Sequence, residues 1–339
     1  MNETRRTILA RLAAFAGVIA GVRQAMAAPT GAPGSTSPTV AIIGAGAAGI
    51  SAGLELARRG IPFVILEARQ RVGGRTWTEA ESLGLPFDQG AAWVHTYDRN
   101  PLRPLLRRRG VRTWASARDD GALFVGGKPD PEALGLFVAA EGRLMAAADA
   151  VLSRGADVPL AELAADDSWL RAYVDTIVAA DLGTDAEQVS TADLMAIAEG
   201  EDRLVEGGLG SFVEMLGRDL PVRLGHAVRR IDWGGADVVL EGGFGRLRVT
   251  RCLVTVPTDL MVDGSLAFSP DLPADLADGF SGLPLGLMTK IAFRLSAPIV
   301  GFPEFAAPLG AIKSGRPAVI HLAKRAPVAT VLVGGRLAR

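Results

Sequence analysis

The run Val40-Ala41-Ile42-Ile43-Gly44-Ala45-Gly46-Ala47-Ala48-Gly49 leaves this chain few folds to choose from. Four apolar residues, three of them β-branched, read as a short strand that leads straight into G-x-G-x-x-G, and a helix-like stretch follows. A second apolar run, Phe63-Val64-Ile65-Leu66, ends on an acid, Glu67. Strand, glycine turn, helix, strand and acid in this order make a β-α-β unit for a dinucleotide. Gly44 permits the tight turn, Gly46 lets the backbone approach a diphosphate, and Gly49 lets helix and strand pack closely. Ala45 and Ala48 complete the motif at a helix N-terminus, whose free N–H groups and positive dipole end face the phosphates. Glu67 stands near the ~20-residue spacing of a carboxylate that takes ribose hydroxyls. The chain has 41 glycines, so the motif gains its weight from its register with both strands and the acid. At this level a nicotinamide dinucleotide, as in a nicotinamide-dependent dehydrogenase, and FAD are both open.

The segment after Glu67 narrows the choice. Glu67-Ala68-Arg69-Gln70-Arg71-Val72-Gly73-Gly74-Arg75-Thr76 sets two glycines beside arginines, so main chain and a guanidinium can meet one diphosphate. This segment resembles the signature of the flavin-containing amine oxidases, which include monoamine, polyamine and L-amino-acid oxidases and the flavin histone demethylases. In that family the first glycine cluster and E-A-R-x-R-x-G-G-R bind FAD, so the resemblance implies FAD.

Downstream segments continue the resemblance in order. Phe87-Asp88-Gln89-Gly90-Ala91-Ala92-Trp93-Val94-His95 is similar to the family segment that passes beside the flavin ring, and Asn100-Pro101-Leu102 to the motif that follows it in polyamine-oxidase-like members. The resemblance therefore assigns Gly90, Ala91, Ala92 and Trp93 to the cofactor, with His95 nearby. Leu204 to Gly210 resembles the glycine turn before the helix that returns to the nucleotide domain. Val222–Leu224 and Ala227–Ile231 read as short strands, and Val228 matches the position whose main chain touches the adenine. Cys252-Leu253-Val254-Thr255-Val256-Pro257 is similar to the strand and Thr-x-Pro turn that close this sheet. Lys290, in Met288-Thr289-Lys290-Ile291-Ala292-Phe293, stands where the family has its flavin-facing lysine. Alternation puts Lys290 on one face with Met288 and Ala292, a setting that suits a lysine entering a cavity.

The resemblance implies an α/β protein: a Rossmann-like FAD-binding domain over 39–115 and 200–260, interleaved with a mixed α+β substrate domain over 116–199 and 261–339. Apolar spacing from Pro131 to Glu199 predicts a helical insertion, and Met288–Leu295 and Val328–Val333 read as strands. The implied chemistry is oxidation of a primary or secondary amine to an imine by hydride transfer to flavin N5. Dioxygen then reoxidises the flavin and gives hydrogen peroxide. Lys290 is the candidate catalytic residue, holding a water near N5.

Relatives in that family continue past the position matching Val331–Gly335 with an Ala-Gly-Glu segment at the cofactor. The expectation is a C-terminally truncated member, with a non-catalytic nucleotide-binding remnant as the alternative. At the other end, Thr4-Arg5-Arg6-Thr7-Ile8-Leu9 is a twin-arginine pattern, followed by an apolar run of 11 residues from Leu12 to Val22 and by Ala25-Met26-Ala27. The run is short of the ~20 residues that span a bilayer, so 1–27 reads as a signal peptide for the periplasm and not as an anchor. Residues 28–38 read as a flexible linker. A net charge of −1 gives no reason to invoke nucleic acid. The single cysteine, Cys252, rules out an internal disulfide and reads as a core thiol, and no Cys or His cluster suggests a metal.

Overall fold

Val40–Ile43 forms β1, and its Ala41 and Ile42 are fully buried. A continuous apolar run buried on both faces is what a central strand of a parallel sheet requires. The structure, a computed structural model, describes residues 38–116, 121–197 and 200–339, so the expected signal peptide and the linker up to residue 37 lie outside the described residues. β1 pairs in parallel with β2 (Phe63–Leu66) on one side and with Arg251–Val254 on the other, Ile42 facing Ile65 and Leu253. Val222–Arg223 adds in parallel beyond β2. Helix α1 (Ala47–Arg58) crosses from β1 to β2, and its Gly53 packs closely under the side chains of Ile65, Phe63 and Leu220. Its Ile50 packs with Phe212, Val213 and Leu216 of the helix Leu209–Gly217, which covers the same side.

The other face of this sheet is covered by a second one. Val228–Asp232, Val238–Gly242 and Gly245–Val249 form an antiparallel meander, and Ala267–Ser269 pairs in parallel with its first strand. Ile231, Leu240 and Val249 pack on Ala41, Ile43, Val64 and Leu66, one apolar core shared by both sheets. Leu266 and Phe268 belong to that core, so the chain stays with the nucleotide half beyond the expected boundary at residue 260.

A six-stranded sheet makes the remaining half. Its order is Met288–Arg294, Val328–Gly334, Val319–Leu322, Phe305–Pro308, Gly121–Val125 and Lys128–Pro129. The expected helical insertion is present over 131–195 as the helices Pro131–Ser153, Leu160–Leu163, Ser168–Ile177 and Thr191–Met195 with intervening turns. Asp130 and Asp167 cap the two long ones by accepting from the N–H groups of Ala133 and of Trp169 and Leu170. Ala133 and Ala172 of this layer pack with Leu123 and Ala307 of the sheet, joined by Ile312 of the short helix Leu309–Lys313. No helix of the described residues is long and apolar enough to cross a membrane.

A Cβ on Gly49 would lie 1.9 Å from the Gly44 carbonyl oxygen, which fixes how close α1 comes to the turn before it. Gly49→Ala is therefore expected to destabilise the fold by about 1–3 kcal/mol through overpacking. Gly142→Ala, inside Pro131–Ser153 with open space around it, should stabilise by up to about 1 kcal/mol. Thermal unfolding of both variants checks the contrast, and equal shifts would contradict it.

Candidate functional site

The parallel strands end at two backbone turns that touch. Gly44 takes a left-handed φ of 102°, and a Cβ there would meet Thr255 Oγ1 at 3.0 Å. The Thr255 hydroxyl donates to the Ile43 carbonyl at 2.9 Å and so ties the last strand to this turn. Gly73 N–H donates to the Ala45 carbonyl at 2.8 Å, and Gly46 and Gly73 form a parallel bridge. Gly74 has φ 59°, and a Cβ on it would come within 3.1 Å of Gly46 Cα. The two glycine pairs thus allow backbone to lie on backbone, forming one cradle from segments nearly thirty residues apart.

Helix α1 begins in this cradle. Its N-cap, Gly46, has no side chain to satisfy the first N–H groups, and no acid sits in the first turn, where Ala48 is exposed. The positive end of the helix is offered to a ligand anion. Glu67, at the end of β2, is buried, with Oε2 accepting from Ala45 N–H and Oε1 from Arg69 N–H, both at 2.8 Å. Each oxygen keeps a further lone pair that can accept from a ligand. Ala68 and Arg75 are exposed at the rim, while Arg69 and Arg71 donate to the Gly74 carbonyl and hold its turn. His226 N–H donates to the Glu67 carbonyl at 2.8 Å, which brings the segment leading to Val228 alongside Glu67. Val228 itself is half-buried, opposite Gly242 beside a register shift.

The cradle continues into the segment expected at the flavin ring. Ala91 N–H donates to the Arg75 carbonyl, and a Cβ on Gly90 would lie 1.9 Å from that same oxygen. Ala92 is buried, and Trp93 pairs with Leu204. His95 is exposed, its Nδ1 3.0 Å from a carboxylate oxygen of buried Asp202.

Lys290 reaches this segment from the edge strand of the six-stranded sheet. Its Nζ donates to the carbonyls of Asp88, at 3.2 Å, and Gly90, and lies 5.4 Å from the centre of the Trp93 ring. Burial pushes its pKa below the usual lysine range, against the pull of the Asp88 carboxylate. Of the neighbours on its face, Ala292 is half-buried and Met288 exposed, while Ile291 and Phe293 opposite are exposed.

Asp88 itself carries a role that the sequence alone does not reveal. Its carboxylate accepts from Thr78 Oγ1 at 2.5 Å and from Leu209 and Gly210 N–H at 3.0 and 3.1 Å, capping the helix Leu209–Gly217. Burial raises its pKa, and these three donors oppose the rise. The cap and its helix are 121 residues apart, so no local motif announces them. Cys252, on the strand beside β1, has its thiol pushed up to about 12 by burial, a packing group and not a nucleophile.

The profile of the flavin containing amine oxidoreductase family matches residues 47–171 and 165–318. A probable polyamine oxidase 4 of Arabidopsis thaliana is 26% identical, over 90% of this chain and 68% of its own length. A polyamine oxidase 5 of Oryza sativa subsp. japonica is 27% identical over the same shares. Among solved structures, wild-type putrescine oxidase bound to putrescine superposes with a TM-score of 0.72 at 21% identity, covering 89% of this chain and 76% of that one. With the profile spanning most of the chain, and an uncapped helix end, a buried acid and two apposed glycine turns at one end of a parallel sheet, the chain belongs to the flavin-containing amine oxidoreductase family and is an FAD-dependent amine oxidase.

Proposed function

We propose that this protein oxidises a small diamine or polyamine to the imine, with dioxygen as the final acceptor and hydrogen peroxide as its product. The observation that carries the reading is that the α1 N-terminus and Lys290 Nζ both meet the Gly73–Trp93 stretch, with the Glu67 carboxylate held against Ala45 at the start of the same helix. The substrate class is supported by the polyamine oxidases and the putrescine-bound oxidase to which the chain is similar. When bound, FAD supplies the acceptor for the hydride that leaves the carbon next to the amine nitrogen.

The residues of this chain have distinct tasks in that reading. Gly44, Gly46 and Gly49 hold the helix end against the diphosphate, with Gly73, Gly74 and Arg75 on its other side. Glu67 takes the ribose hydroxyls, with Ala45, Ala48, Ala68 and Arg69 shaping its surroundings, and the main chain of Val228 lies toward the adenine. Gly90, Ala91, Ala92 and Trp93 line the ring. Lys290 donates two of its N–H groups to the Asp88 and Gly90 carbonyls, leaving a third to orient a water at the reacting centre. Its burial strengthens any interaction with charge that develops there. Residues 39–115 and 200–269 act as the nucleotide-binding unit, and the six-stranded sheet with its helices as the substrate unit.

Glu67→Gln forces an amide N–H toward Ala45 N–H or Arg69 N–H, so FAD binding should weaken by about 1–3 kcal/mol. Dialysis followed by flavin absorbance measures this, and full retention of flavin would show that Glu67 does not carry the ribose. Lys290→Met keeps the apolar stem and should leave FAD bound while slowing flavin reduction or reoxidation on the order of 10²–10³-fold. Stopped-flow absorbance, with putrescine under anaerobic conditions and then with oxygen, tests it. Parent rates in both half-reactions would remove Lys290 from the chemistry. Peroxide release from putrescine and spermidine, compared with benzylamine and amino acids, tests the substrate class.

The twin-arginine segment supports export of the folded, FAD-loaded protein to the periplasm, with cleavage after Ala27. Replacing Arg5 and Arg6 by lysine should leave the protein in the cytoplasm, as read by cell fractionation. Normal export of that variant would overturn the proposal.

A further inference from the structure

Behind Trp93 lies a buried polar chain that the proposed chemistry does not use. The indole Nε1–H donates to Ser116 Oγ at 3.0 Å, and the Ser116 hydroxyl donates to Glu304 Oε1 at 2.5 Å. His321 Nε2 lies 3.2 Å from the same Glu304 oxygen. Ser116, Glu304 and His321 are 7%, 3% and 8% exposed, so solvent does not compensate a lost partner. The His321 ring stands edge-on to Trp93 at 5.2 Å, and Phe305 closes the group at 5.1 Å from His321. Trp93 comes from the nucleotide half, Ser116 follows directly on its strand Thr113–Ala115, Glu304 directly precedes the sheet strand Phe305–Pro308 and His321 lies in the six-stranded sheet, so the polar chain runs from one half to the other.

An aromatic wall alone does not fix a tryptophan. Rotation about its second side-chain torsion, a broad and shallow coordinate, presents either long edge of the indole to the same apolar neighbours. Only the N–H distinguishes the two edges, and here a single acceptor takes it. The opposite consequence appears on the ring face, over which Lys290 Nζ is held at 5.4 Å. We propose that Glu304, acting through Ser116, is a positioning residue that locks the Trp93 indole in the orientation that backs the Lys290 ammonium. The link to catalysis rests on the reading that Lys290 and the 87–93 segment face the flavin; the seating of Trp93 does not. The Glu304 carboxylate accepts from the Ser116 hydroxyl, whose oxygen in turn accepts from the Trp93 N–H, so the seating of the indole passes through both.

Ser116→Ala, Glu304→Ala and Glu304→Gln, each made in the parent and in Trp93→Phe, test the proposal with two readouts. The first is near-UV circular dichroism of the FAD-stripped protein, calibrated by the band that Trp93→Phe removes. The second is the rate of flavin reduction by putrescine under anaerobic conditions. Ser116→Ala and Glu304→Ala should lose the Trp93 band and slow reduction on the order of 10²-fold, the effect of misplacing a group beside the reacting centre. Glu304→Gln should keep both, because its amide oxygen accepts the same serine proton. In the Trp93→Phe background Ser116→Ala should cost nothing further, as expected for residues acting through one another.

An unchanged Trp93 band in Ser116→Ala would overturn the proposal, as would a full rate loss that persists in the Trp93→Phe background. A lost band with parent rates would support the seating and overturn the placement of Lys290 at the flavin. If Glu304→Ala fails to fold, Glu304→Met, which fills the same volume but offers no strong acceptor to Ser116, takes its place: loss of the Trp93 band with slowed reduction supports the proposal, and an unchanged band overturns it.

Discussion

Backbone lying directly on backbone at the ends of β1 and β2 sets the geometry from which the rest of the site follows. The Gly49 Cα faces the Gly44 carbonyl with no space for a methyl group, and Gly74, in a left-handed conformation, sits closely against Gly46. These contacts draw the start of α1 down to the sheet, so its unsatisfied N–H groups and dipole are fixed beside the Glu67 carboxylate. They also place Arg75, whose carbonyl then anchors Ala91 and the segment that ends at Trp93. A side chain at Gly49 would push α1 away from the turn that precedes it.

Charge is distributed around Lys290 with the same care for partners. The Asp88 carboxylate is the acid that pulls on Lys290, yet its oxygens are taken by Thr78 and by the N-terminus of Leu209–Gly217. Lysine therefore meets the Asp88 main-chain carbonyl and not its carboxylate. Carbonyl dipoles orient an ammonium without the full pull of an ion pair, and burial then lowers the lysine pKa. One residue serves both ends: its side chain secures a helix of the nucleotide half, and its main chain seats a lysine from the other half.

The parts of this site that were legible in the sequence are local ones. A strand, a turn with required glycines and an acid at the end of the next strand lie within thirty residues, and each has a period or a backbone requirement that spacing displays. The helices over 131–195 and the strands Met288–Arg294 and Val328–Gly334 show their periods equally plainly. The Asp88 cap and the Ser116–Glu304 bond span 121 and 188 residues and leave no pattern on either side. The short strand past the boundary expected at 260 was hidden for a related reason. Ala267–Ser269 is too short to show alternation, and it is a strand only because Arg230–Asp232 offers it a parallel edge.

The order in which the central sheet acquires its strands has a consequence for synthesis. β1 and β2 leave the ribosome close together, but the strand on the other side of β1 ends at Val254, and the Thr255 hydroxyl that locks the glycine turn lies 212 residues from Ile43. Pairings of that separation form late, because the loop entropy comes before the contact that rewards it. A nascent chain that has passed its glycine motif but not residue 255 therefore carries a half-built sheet, with the second side of β1 uncovered. For most of its translation this protein holds a nucleotide signature without a nucleotide site, and it depends on that exposed strand edge finding its own distant partner before another chain does.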